Sequence, residues 1–177
     1  MQIIVGAGGT AFPGWRSFNQ EDLDIRNPMA WSSLFLPNSL DSILADHVWE
    51  HLTYPEGLAA ARNAERYLKS GGLLRIAVPD GNHPHPGYLE WVRPGNWING
   101  DDHKVLYTAQ SLSGLLQIAG FRPVIRETFD GMGNLWRSDI DPRDGYLYRS
   151  CDSLWSGCLS LAVGAPYTSL IIDGVKA

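Results

Sequence analysis

The chain has 177 residues, of which 44% are hydrophobic, with seven Trp and seven Tyr and a net charge of −5. That composition fits one globular domain over 1–177 with a sizeable core, and it excludes a disordered chain. The acidic balance and scattered Lys and Arg argue against nucleic acid and against a membrane surface as partners.

The opening "MQIIVGAGG" reaches glycine after one short apolar run, too short for a signal region, and no stretch approaches a membrane span. Cys151 and Cys158 match no metal spacing. A cytoplasmic protein with free thiols is expected.

Residues 2–5 read as a buried strand that stops at Gly6. "GAGGTAFPGW" is loop, because its glycines and proline leave no room for a full helix. Arg16–Phe18 and Leu23–Ile25 are candidate short strands, the latter reduced to a tip. "NPMAWSSLF" predicts a short helix with Asn27 as cap and Pro28 in its first position. Leu40–Ala45 reads as a strand. "YPEGLAAARNAERYLKSGG" is the clearest helix, with Leu58, Ala61, Ala64 or Glu65, and Leu68 as its inner stripe and Gly71 as its stop. "LLRIAVPD" follows as a buried strand, and a loop then runs to about residue 102. "TAQSLSGLLQIAG" is a second helix closed by Gly120. "FRPVIRETF" and "TSLIIDGVK" read as the last two strands, and residues 130–166 between them show no firm periodicity.

Alternating strands and helices imply a mostly parallel sheet with crossover helices. Ligands in such sheets sit at the carboxyl ends of the strands. Three points fall on that edge: the Gly loop, Asp46-His47, and Pro79-Asp80-Gly81.

"GAGGTA" also matches a dinucleotide fingerprint, but Pro13-Gly14 interrupt the helix that would meet a pyrophosphate. His47-x-x-Glu50-His51 has the spacing of a zinc-peptidase helix, with Glu50 as base and Glu127 as a further ligand. Against it, the motif follows a strand directly and meets Thr53-Tyr54-Pro55 within a turn. Histidines that merely cap and orient the turn are the structural alternative. His83, His85, Asp101, Asp102 and His103 fall in loops, as a metal cluster, a source of catalytic base, or solvated residues near the ligand mouth. "DIDPRDG" lacks the acid positions of a calcium loop. Trp91, Trp97, Tyr107, Trp136 and Trp155 serve equally as an acceptor-pocket wall or as core. No bound metal is expected.

In order along the chain, "VGAGGTAFPGW", "LPNSLDSILADHVWEHL", "YLKSGGLLRIAVPDG" and "HKVLYTAQSLSGLLQIAGF" resemble the class I S-adenosylmethionine-dependent methyltransferases. The resemblance is to the small bacterial members. It implies an α/β, Rossmann-like fold with an antiparallel C-terminal strand, here with reduced N-terminal helices. It implies S-adenosylmethionine as cofactor, with Gly6, Ala7 and Gly8 under its methionyl part. Asp24 and Ile25 would lie at the adenine end, and Asp46, His47 and Val48 around the sulfonium. The ribose acid usual in the family has Asn19, Gln20 and Glu21 as its nearest counterparts, of which only Glu21 is acidic.

The expected activity is methyl transfer to a small-molecule or glycan acceptor. A hydroxyl acceptor needs a base, with His51 the first candidate and His103 the second. The alternatives are a binding module of the same fold without catalysis, and the zinc peptidase. A thinly covered sheet face would allow a homodimer.

Overall fold

The computed structural model describes residues 1–96, 102–147 and 168–177. Trp97, Asp101, Cys151, Trp155 and Cys158 therefore lie outside the described residues. Runs of Ile, Leu, Val and Ala form the inner strands, because branched side chains pack well on a pleated surface buried on both sides. The strands are β1 (Gln2–Val5), β2 (Trp15–Phe18), β3 (Leu40–Asp46), β4 (Leu68–Val78), β5 (Phe121–Phe129), β6 (Leu135–Arg137) and β7 (Leu170–Lys176). They make a seven-stranded sheet in the order β2-β1-β3-β4-β7-β5-β6. The pairs among β1, β2, β3 and β4 are parallel. β7 runs antiparallel to both β4 and β5, as expected for the C-terminal strand.

The helices are α1 (Pro28–Leu34), α2 (Tyr54–Tyr67), α3 (Pro86–Val92) and α4 (Ala109–Ala119). Side-chain caps start them. Asn27 accepts from Met29 N at α1, and Thr53 with Glu56 closes a capping box at α2. Thr108 with Ser111 does the same for α4, which ends at Gly120 with φ 103°. Trp31 and Phe35 of the α1 segment, Ala60, Ala61 and Ala64 of α2, and Leu112, Leu115 and Leu116 of α4 bury one face of the sheet.

The opposite face is covered differently. Ile4, Leu44, Ala77 and Ile171 pack there against Phe12, Trp15, Ile140 and Leu147. The buried Arg75 binds Asp173 through Nε at 2.8 Å and also donates to the carbonyls of Asp141 and Gly145. That ties the 140–147 segment to the sheet.

Three expectations need correction. Leu23–Ile25 is not a strand but part of a turn, whose Leu23 N bonds the Asn19 carbonyl at 2.9 Å. α2 stops at Tyr67, before Gly71, because Leu68 already has extended backbone and pairs with Leu40. Gly71 instead takes φ 76° where the β3–β4 register shifts. The loop after β4 contains α3, which His85 caps by accepting from Tyr88 N.

Candidate active site

The chain leaves β1 for β2 on one side, then returns to β3 on the other. β1 and β3 therefore flank a topological switch point, where the chain's crevice should open. A cleft of about 480 Å³ lies there, lined by residues that include Gly6, Gln20, Asp24, Ile25, His47, Val48 and His51. Its size is within the roughly 300–1,000 Å³ of small-molecule sites.

Gly6 has φ 59°, and a Cβ added to it would stand 2.5 Å from Val48 Cγ2. Only glycine meets both the left-handed backbone and the close approach. The loop after β1 is thereby pressed onto the loop after β3. Ala7 N donates to the Phe18 carbonyl, and Gly8 N donates to Asn19 Oδ1 at 2.8 Å. The Gly loop thus rests on the tip of β2.

Asp24 and Ile25 line the cleft, but Asp24 is already engaged. Arg26 grips its carboxylate with Nε and Nη2 at 2.8 and 2.9 Å and reaches Glu56 Oε1 at 3.0 Å. The Arg26 bond holds the Asp24 carboxyl below its ordinary value. The Ile25 carbonyl is filled by Trp31 Nε1 and Asn63 Nδ2. Ala7, Gly8, Glu21 and Asp46 are not among the lining residues, whereas Gln20 is.

At the tip of β3, His47 takes φ 58°. Its Nδ1 lies 2.9 Å from Glu50 Oε1 and its Nε2 lies 2.9 Å from Ser169 Oγ. Both ring nitrogens are thus spent on the protein, tying β3 to the following turn and to the start of β7. The stretch after it is a single 3-10 turn, Trp49–His51, and not a peptidase helix. His51 points elsewhere: its Nδ1 meets Asp102 Oδ1 at 2.7 Å, and its ring stands edge-on to His103 with centroids 5.0 Å apart. The bond from His51 holds the Asp102 carboxyl below its ordinary value. His103 Nδ1 lies 2.9 Å from the Val92 carbonyl. Lys104 N and Val105 N both donate to the Glu50 carbonyl, which fixes this segment against the turn.

The third point on the strand edge is structural. Buried Asp80 accepts from Asn82 N, Thr128 Oγ1 and Phe129 N, and so secures the end of β5. His83 is buried between Tyr88 and Phe129 and not solvated. Tyr107 is core, while Trp91 and Trp136 are exposed, and none of the three lines the cleft. Arg26, Leu52 and Lys104 line it without having been expected. Arg26 carries a local signal, its spacing of two from Asp24. Lys104 carries none.

The sheet order, the antiparallel β7 between β4 and β5, and a cleft at the switch point define the class I, Rossmann-like methyltransferase fold. No family model matches the chain, and no curated protein does. Solved structures match over nearly the whole chain. A SAM-dependent methyltransferase from Archaeoglobus fulgidus is 12% identical, with TM-score 0.58 over 99% of this chain and 85% of its own. A SAM-dependent methyltransferase from Thermotoga maritima is 14% identical, with TM-score 0.58 over 100% of this chain and 73% of its own. The YcgJ protein of Bacillus subtilis is 14% identical, with TM-score 0.55 over 99% of this chain and 91% of its own. At these identities the likeness is one of fold.

Proposed function

We propose that the chain is an S-adenosylmethionine-dependent methyltransferase acting on a small-molecule or glycan hydroxyl. The observation that carries this reading is the cleft between the loops after β1 and β3, where Gly6 is locked against Val48. The lining fits the donor: a close-packed glycine turn, the apolar Leu23, Ile25 and Leu52, and the amide of Gln20. Gly6 and Val48 would border its methionyl end and Ile25 its adenine. Gln20, rather than Glu21, would meet the ribose hydroxyls.

When bound, S-adenosylmethionine supplies a methyl group on a positive sulfur, open to in-line attack. His47 holds the β3 tip rigid through Glu50 and Ser169. That rigidity contributes by alignment. His51, with Asp102 at Nδ1, has Nε2 left to take the acceptor's proton, the arrangement of a buttressed general base. His103 packs on His51 and is the second candidate for that role. Titration with S-adenosylhomocysteine tests the donor assignment. Turnover of a panel of hydroxyl acceptors then separates a catalyst from a binding module of the same fold.

A further inference from the structure

We infer that Arg26 holds the nucleobase of the donor, with its guanidinium as a stacking platform, and that the exocyclic amino group of the base goes largely unread. This role rests on the donor reading above and adds to it the residue that grips the base.

Arg26 lines the cleft together with the apolar Leu23, Ile25 and Leu52. Its Nε and Nη2 clasp the two oxygens of Asp24 at 2.8 and 2.9 Å, and its Nη1 donates to Glu56 Oε1 at 3.0 Å. A guanidinium carries five N–H donors in one plane. Three of them are spent on two carboxylates, one in the loop after β2 and one at the start of α2, which fixes that plane. Its flat face and two N–H bonds remain for a ligand. The same two carboxylates balance the cation, and its side chain is 32% exposed. A flat ring can therefore cover its face without stripping an unpaired charge of water. Arginine stacks on aromatic rings and nucleobases in this way. Leu23, Ile25 and Leu52 supply the apolar surface that a base also needs.

An adenine amino group seeks a carboxylate or a carbonyl, and the two such acceptors of the Asp24–Ile25 pair are occupied. Asp24 accepts from Arg26 N, Nε and Nη2, which fills three of its roughly four acceptor sites. The Ile25 carbonyl accepts from Trp31 Nε1 at 2.9 Å and Asn63 Nδ2 at 3.0 Å, which fills both its lone pairs. The Arg26 bonds also hold the Asp24 carboxyl below its ordinary value, so it stays an ion committed to that partner. Affinity for the base then comes from stacking, which every purine offers.

The test is calorimetric titration of the full-length protein with three probes. They are S-adenosylhomocysteine, S-inosylhomocysteine, whose base carries a carbonyl in place of the amino group, and S-ribosylhomocysteine, which has no base. Wild type should bind the first two within about three-fold of each other. Arg26→Lys, which keeps the charge but loses the plane, should weaken both by about 3–30-fold and leave S-ribosylhomocysteine unchanged. Adenine absorbance should fall when S-adenosylhomocysteine binds wild type, the signature of a stacked base, and should fall less in Arg26→Lys. Melting curves confirm that the variant is folded, and the wild-type measurements do not depend on it. Undiminished S-adenosylhomocysteine binding in folded Arg26→Lys, or equal losses for all three probes, overturns the role of Arg26. A loss of more than about ten-fold for the inosine compound in wild type shows that the amino group is read after all. In each of these cases the donor reading stands. Failure of wild type to bind S-adenosylhomocysteine at all removes the donor reading and the role of Arg26 with it.

Discussion

His47 and His51 sit on one short turn, yet their surroundings assign them different tasks. His47 is inward, with both nitrogens bonded, and its loss strands the buried carboxylate of Glu50. His47→Ala should therefore lower stability by about 1–3 kcal/mol in urea denaturation. His51 is about one-third exposed and its partner Asp102 more so, so the pair adds little to folding. His51→Ala should keep stability within about 1 kcal/mol. It should also keep S-adenosylhomocysteine affinity within a few-fold and lower turnover by about 10²–10⁴. Equal stability losses in the two variants, with turnover intact in His51→Ala, would contradict this division. The Gly loop gives a second contrast. Gly6→Ala puts a Cβ into Val48 and strains a positive φ, and should cost about 1–3 kcal/mol. Gly8 has φ 56° but open space around it, so Gly8→Ala carries the backbone strain alone and should cost less. Denaturation midpoints with a larger loss for Gly8→Ala would refute the packing argument.

The loop after β2 is held to the start of α2 by Arg26, which bridges Asp24 and Glu56. Glu56 also accepts from Thr53 N and Oγ1 in the capping box, and these bonds hold its carboxyl at about 2 against an ordinary value of 4.5. A depressed carboxyl contributes stability above its unfolded value and loses it as pH falls through the folded value. Glu56→Gln keeps a capping side chain without the charge. The stability gap between wild type and Glu56→Gln should be constant above about pH 4.5 and close as pH falls toward 2. Parallel melting curves across that range would rule out the clamp. At this scale the sequence was legible where caps and apolar runs agree: α1, α2, α4 and the inner strands announce themselves. α3 was hidden because His85 caps a seven-residue helix inside a run of Pro, Gly and His. The end of α2 was misplaced because Tyr67 is buried core while Leu68 turns extended, a tertiary effect that a Gly-Gly signal downstream outweighs in sequence. The Gly loop and the His47–Val48 tip were legible as strand-edge features. The pairing of His51 with Asp102 and His103 was not, because it depends on the backbone bonds from Lys104 and Val105 to Glu50.

Across the sheet, β7 joins two halves that the chain builds far apart in sequence. Its Asp173 is buried and accepts from Arg75 of β4 and Arg126 of β5. Arg75 is fully buried as well, so Asp173→Ala leaves an uncompensated charge inside the sheet face. A loss of about 3–5 kcal/mol is expected in chemical denaturation, and a loss under about 1 would show that the pair is not holding the strands together. No helix among the described residues is long and apolar enough to cross a membrane. The sheet order and β7 establish the fold, and the cleft at its switch point is what turns a fold into a proposal about chemistry. Calorimetric titration with S-adenosylhomocysteine, paired with thermal shift, tests that proposal most directly. Binding at one site per chain is expected, with a melting temperature that rises with ligand by mass action and an affinity reduced in Gln20→Ala and unchanged in Glu21→Ala. No heat and no shift at millimolar S-adenosylhomocysteine, with a clear shift for NAD, would contradict it.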